Sequence, residues 1–369
     1  MLSRNRSLLS AVVALSAAVT LTACSGNATG GGAVAAAPDD AAPDDAALKQ
    51  RQECINTAKE QASSDLILNQ DWIHVTSTND FAELDAEIQL PAKVKDGIGA
   101  EVEVKDISKI ISAGDGISAT LGALGLADKI YAASEDSTSP EGICAEQHFK
   151  FGKDTGAEGL LAIDGTLFIG DNTKRHGTVA QQFRDVAMDA VVVDDQQPQL
   201  GKIKAVSEYV GATQAGEKLV ADISAQLKDA YSKMAASNIA GKRVIQLTAT
   251  GAGGQNSVAG KGTPGVELVT AMGLKSVGEE AGLRGFSREF SNEGLLAADP
   301  EIILIAESDL KKWGSEEGMW SAFPTLKDTT AGREQRVIVM PDAQIRYTSP
   351  ELGVGAQALA DALVKEFGN

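Results

Sequence analysis

The segment EGLLAIDGTLFIGD at residues 158–171 has a counterpart in EGLLAADPEIILIAE at 293–307. In both, Glu-Gly-Leu-Leu-Ala is followed by an Asp three residues after Leu161 or Leu296 and then by an apolar run, the pattern of a short helix, a turn and a buried strand. A second pair, LGALGLADKI from Leu121 and VTAMGLKSVG from Val269, puts the same helix, glycine and strand earlier in each half. Two matched pairs in the same order predict two lobes of related α/β design. This repetition limits the fold more than any single motif, because each half must bury the same apolar face in the same way.

Between the halves, Thr213 to Ala236 carries Leu219, Ile223, Leu227, Tyr231 and Met234 mostly four apart, without proline, which predicts one long helix bridging the lobes. Short apolar runs (KIYAAS, DAVVVDD, KRVIQLT and RVIVMP) alternate with helical segments, and a closing helix is expected from Val354 to Phe367. The expected fold class is α/β, with parallel sheets flanked by helices. The expected boundaries are a first lobe at 104–212, a linking helix at 213–237 and a second lobe at 238–369, with an extension at 48–103 packed on the first lobe.

The opening residues bear on location. Arg4 and Arg6 precede an apolar stretch from Leu8 to Leu21, too short to span a bilayer, that ends in Leu-Thr-Ala-Cys24. This resembles a lipoprotein signal peptide, 1–23, which implies a lipidated Cys24 and a protein held at the outer face of the cell membrane. Residues 24–47 are rich in Ser, Gly, Ala, Pro and Asp, a composition that reads as a disordered tether. The formal charge is −18, and −20 once the two arginines of the head are removed, so nucleic acid and anionic lipid surfaces are disfavoured partners. With Cys24 assigned to lipid, Cys54 and Cys144 are expected to form a disulfide, as befits an exported chain. The cysteines and the three histidines, His74, His148 and His176, contain no closely spaced pair of zinc ligands.

Catalytic patterns fail on inspection. Gly116-Ile-Ser-Ala-Thr120 has Thr where a nucleophile elbow requires glycine, and in GAGGQNSVAGKG Gln255 and Gly262 occupy positions a phosphate loop reserves for Gly and for Ser or Thr. No enzyme and no catalytic cofactor are expected.

The lipoprotein head, the linked lobes and the GLLAIDGTLFIGD block resemble the substrate-binding lipoproteins of ABC importers for heme, ferric siderophores or cobalamin, over roughly Val104 to the C-terminus. Lys311 to Asp342, KKWGSEEGMWSAFPTLKDTTAGREQRVIVMPD, is most similar to the hemin-binding members. The resemblance implies a class III periplasmic-binding-protein-like fold, a monomer, and capture of small-molecule cargo in an inter-lobe cleft. It further implies delivery to a permease and its ATPase, with the lipid anchor as the one membrane contact.

For heme as cargo, His148 matches the iron-ligating histidine of the first lobe. The positions of a second-lobe Tyr and Arg are taken by Thr248 and Thr250, which cannot replace them. His176, Tyr347, Arg346 and Lys261 are candidates to fill that gap, and Phe149, Trp313 and Trp320 are candidate flat faces for a macrocycle. Glu267 matches the second-lobe docking carboxylate. Its first-lobe equivalent is Ala119, with Asp115 one helical turn earlier as the stand-in, and Ser349-Pro350-Glu351 replaces a family Gly-Pro-Arg. The alternatives are a ferric siderophore or corrinoid cargo, or a surface accessory protein that no longer transports.

Overall fold

The computed structural model of the chain describes residues 45–64, 72–76, 83–150, 157–251, 255–287 and 290–368. The signal segment 1–23, the lipidation site Cys24 and nearly all of the tether 24–47 lie outside the described residues. A helix begins at Asp45, slightly before the residue 48 expected to open the extension.

The extension contains that helix, Asp45–Ser64, then β1 (Ile73–His74) and a hairpin of β2 (Ala92–Lys95) and β3 (Glu101–Val104). The first lobe holds β4 (Ile110–Ala113), β5 (Ile130–Ser134), β6 (Gln147–Phe149), β7 (Leu167–Gly170) and β8 (Asp189–Val192). They form an all-parallel sheet in the order β6-β5-β4-β7-β8. The second lobe contains β9 (Arg243–Gly251), β10 (Gln255–Ala259), β11 (Lys275–Ser276), β12 (Phe286–Ser287), β13 (Ile302–Ala306) and β14 (Val337–Met340). Its order is β1-β14-β13-β9-β10-β12, and β11 also pairs with β9. The neighbours of β9 on its β13 and β11 sides run parallel, as do those of β4, while β10 folds back antiparallel.

Strands such as β7 (LFIG) and β14 (VIVM) are buried at every residue because helices cover both faces of each sheet. Alternate residues enter different cores. Ile110, Leu167, Ile169 and Val191 join one cluster, whereas Ile111, Phe168, Ala190 and Val192 join another on the opposite face. The first of these clusters continues through Val244, Leu304, Ile338 and Met340 of the second lobe. It also includes Leu219, Ile223, Ala230 and Met234 of the linking helix Thr213–Ala235. At 1.5 Å per residue this 23-residue helix is roughly 35 Å long, and it fastens both lobes to one apolar body. Tyr231, assigned to its buried face from spacing, is instead 51% exposed, and Ala230 takes the inward position.

Each predicted helix-glycine-strand turn has the same closure. Gly125 and Gly273 adopt φ of +76° and +78°, and Leu126 N–H and Leu274 N–H reach back to the carbonyls of Leu121 and Val269. Glycine suits both sites because a left-handed residue ends the helix there.

The extension is not confined to the first lobe. Its helix is pinned there by a Cys54–Cys144 disulfide and by Arg51, whose guanidinium donates to the carbonyls of Cys144, Ala127, Asp128 and Ile130 at 2.7–3.2 Å. But β1 pairs in parallel with β14, Trp72 packs edge-on against Trp320, and His74 Nε2 lies 2.6 Å from Glu307 Oε1, all in the second lobe. Leu84, Ala86 and Gln89 then return to the first lobe through hydrogen bonds to Ala123, Leu124 and Gly211. A two-residue edge strand has too little periodicity to be read from sequence. Among the described residues, no helix is long and apolar enough to cross a membrane.

Candidate functional site

A cleft of about 1180 Å³ opens between the lobes. Its walls are largely the loops that leave the carboxyl ends of β4, β7 and β8 on one side and of β13 and β14 on the other, where parallel sheets place ligands, with the loop after the antiparallel β10 completing the second wall. Asp115, Asp171 and Lys202 represent the first wall, and Lys261, Phe286 and Tyr347 the second. One buried residue ties the walls together: Gln199 donates its backbone N–H to Glu267 Oε2 at 2.9 Å and its side-chain amide to Gly262 O at 3.0 Å, and it accepts from Thr348 Oγ1.

The structure divides the sequence-selected residues. Tyr347, Arg346 and Lys261 line the cleft, as do Glu267 and Asp115. His148, His176, Phe149, Trp313 and Trp320 do not.

His176 was expected in a loop at the cleft mouth. It belongs instead to the first turn of the helix Thr173–Asp185 and is 2% exposed, its Nδ1 accepting from the amides of Asp171 and Asn172 at 3.0 and 3.3 Å. Burial lowers its pKa to about 3, so the ring is neutral and serves to shape the loop under Asp171. The three aromatic candidates pack within lobes. Phe149 is buried in the first-lobe core, Trp320 meets Trp72, and Trp313 donates from Nε1 to Asn256 Oδ1 at 2.8 Å while meeting Phe323 edge-on. Phe286 is the aromatic face at the cleft, in a two-residue strand that carries no sequence signal.

His148 lies on β6, the outer strand of the first-lobe sheet, with its side chain exposed. Its Nε2 is 3.2 and 3.1 Å from the carbonyls of Gly142 and Ile143. Carbonyls only accept, so Nε2 is the donating nitrogen, and in the neutral ring the lone pair is then on Nδ1.

Thr248, at the place of the missing tyrosine, is fully buried and donates to Asp309 Oδ1 at 2.7 Å. Asp309 also accepts from Ala249 N at 2.9 Å, and its Oδ2 lies 3.4 Å from Arg346 Nε. Arg346 stacks over Phe286 at 4.4 Å. Arg346 is therefore a neutralised structural cation, not a free one waiting for a carboxylate. Thr250 lies on β9, and its side chain is outside the described set.

The carboxylates expected to dock a permease are engaged internally. Asp115 accepts from Ser137 Oγ and from Thr138 N and Oγ1, and Glu267 caps the amino end of the Gln199–Tyr209 helix across the cleft.

Tyr347 makes no hydrogen bond among the described residues. Desolvation, then the nearby carboxylates of Asp115 and Glu141, holds its phenol well above the ordinary value, so it is protonated in the empty cleft. Asp171 and Asp342 at the walls are pushed up to about 6, chiefly by desolvation. Among the described residues, no group of three or more His, Cys, Asp or Glu side chains is arranged to hold a metal ion.

Behind Tyr347, Glu141 is 8% exposed, and desolvation raises its pKa to about 7. Between pH 4.5 and 7 the folded state keeps a proton that the unfolded state releases, so this group withdraws stability as pH rises. Glu141→Gln is expected to raise the melting temperature above pH 7, by the equivalent of up to about 3 kcal/mol, with the gain vanishing below pH 4.5. Melting curves at pH 4 and pH 8 check it, and a gain equal at both would refute the burial account.

Solved structures share this architecture. A heme-binding protein, HmuT, superposes with a TM-score of 0.69 at 25% identity, covering 79% of this chain and 96% of its own. A periplasmic heme-binding protein, RhuT, from a Roseiflexus species gives 0.60 at 26% identity, covering 70% and 99%. A periplasmic heme-binding protein, HutB, from Vibrio cholerae is alike in fold, with a TM-score of 0.57 at 22% identity over 70% and 99% of the chains. No curated protein matches the chain in sequence. The pattern of the periplasmic binding protein family matches residues 110–344, well over half of the chain, and the chain therefore belongs to that family of exported solute-binding proteins.

Proposed function

We propose that the protein captures heme in the inter-lobe cleft and hands it to the permease of an ABC importer driven by its ATPase, from a lipid anchor at Cys24. The observation that carries this reading is the cleft itself, set between two linked lobes whose architecture is that of proteins described as heme-binding. At about 1180 Å³ the cleft exceeds the roughly 300 to 1,000 Å³ of ordinary small-molecule pockets and has room for a macrocycle. Phe286 supplies a flat apolar face, and Tyr347 supplies an oxygen donor from the wall. Iron binds phenolate, and its positive charge offsets the desolvation and the neighbouring carboxylates that keep the Tyr347 phenol protonated. His148 in its neutral form has a lone pair on Nδ1 but stands outside the cleft lining, which favours Tyr347 as the donor. Capture needs no catalysis. For delivery, Glu267 and Asp115 would each have to exchange an internal hydrogen bond for a permease contact.

Titration of the mature protein with ferric heme is expected to give a saturable Soret shift. Tyr347→Phe should weaken binding by about tenfold or more, the effect of one lost donor to a charged centre, and His148→Ala should weaken it less. A larger loss in His148→Ala would return the donor role to the histidine, and a flat titration of the unaltered protein would remove heme as the cargo.

A further inference from the structure

Among the described residues of the cleft, one partly buried cation has no contact partner. Arg346 is paired with Asp309, and Arg175 lies 3.5 Å from Asp171. Lys174, Lys261, Arg284 and Lys312 are exposed and have water for a partner. Lys202 is only partly exposed, yet its ammonium makes no ion pair or hydrogen bond among the described residues. It also stands in the first turn of the helix Gln199–Tyr209, the positive end of the helix dipole, where a cation is disfavoured. Desolvation is the largest influence on it and lowers its pKa, although Glu267, Asp195, Asp171 and Asp194 pull the other way from beyond contact range. Partly desolvated charges are ordinarily held in contact with an opposite charge, and among the described residues no acid is in contact with this one. Its surroundings are the cleft, so a contact partner can arrive with the cargo.

We propose that Lys202 anchors an acid group of the cargo, so that the cleft selects a ligand with a free carboxylate over the same ligand esterified. This rests on the cleft being the cargo site and makes Lys202 a specificity-determining residue within it. The ammonium is a point donor and a charge, and a carboxylate answers both. An ester carbonyl answers only the first.

The test compares ferric deuteroporphyrin with its dimethyl ester on the unaltered protein, Lys202→Met and Lys202→Arg. The free acid should bind about tenfold more tightly to the unaltered protein, the ratio should fall to near one in Lys202→Met, and Lys202→Arg should keep most of it. The empty Met variant should melt no lower than the parent, since an unpaired desolvated charge has been replaced by an apolar chain of similar length. A Met variant that retains the parental ratio overturns the proposal while leaving the heme reading intact. If neither porphyrin binds, the heme reading fails and ferric citrate becomes the probe. Thermal stabilisation by ferric citrate that Lys202→Met abolishes then sustains the acid anchor, whereas none, or an equal effect in both proteins, overturns it.

Discussion

Asp309→Ala is expected to destabilise the protein by about 3–5 kcal/mol, the usual consequence of breaking a buried ion pair by removing one member. The Asp309 side chain is fully buried and serves three donors at once: the Thr248 hydroxyl, the Ala249 amide and the Arg346 guanidinium. Removing it breaks the ion pair to Arg346, whose side chain is only 16% exposed and which stacks on Phe286. Thr248→Val should cost less, about 1–2 kcal/mol, because Asp309 keeps its amide and guanidinium partners. Denaturant midpoints of the two variants check the order. An Asp309→Ala loss below that of Thr248→Val would mean that the network does not hold the charge. Since Arg346 precedes Tyr347 in the chain, the same variant should also weaken cargo binding.

Opening the Cys54–Cys144 disulfide is expected to lower stability by about 2–4 kcal/mol. The bond spans 90 residues, so cutting it releases a large loop in the unfolded chain. The lower end of that range reflects the four carbonyl contacts of Arg51 and the pairing of β1 with β14, which still hold the extension once the covalent link is gone. Melting of the double Cys54→Ala, Cys144→Ala variant, compared with the parent in the absence of reductant, measures it. An unchanged midpoint would show that the link adds nothing to the other contacts.

The architecture was readable because it is periodic and repeated. EGLLA and the glycine turn each occur twice, the apolar strands are buried on both faces, and the linking helix runs without proline behind a recurrent apolar face. Every one of these signals is local in sequence. The site was readable only where a residue happened to stand in the last loop of a lobe, as Tyr347 and Arg346 do, or on the glycine-rich turn of Lys261. Trp313, Trp320 and Phe149 were attractive as rare aromatic residues, but rarity does not distinguish a ligand face from a core, and all three pack inside lobes. His176 turned inward because its Nδ1 satisfies two amides at the start of a helix, a tertiary use of histidine with no pattern in the chain. The place of Thr248 could be aligned with a missing tyrosine, whereas its bond to Asp309, 61 residues away, could not be foreseen. Lys202 escaped notice for the same reason. A lysine in a helix is ordinary until the fold withdraws water from it and brings no acid into contact with it.

The location of iron in a crystal of the heme-loaded protein, found by anomalous diffraction at the iron edge, tests the central claim most directly. The account predicts a single iron within the cleft, between the Lys202 wall and the wall of Phe286 and Tyr347. An iron on the outer edge of the first-lobe sheet, beside His148 and away from that crevice, would contradict it.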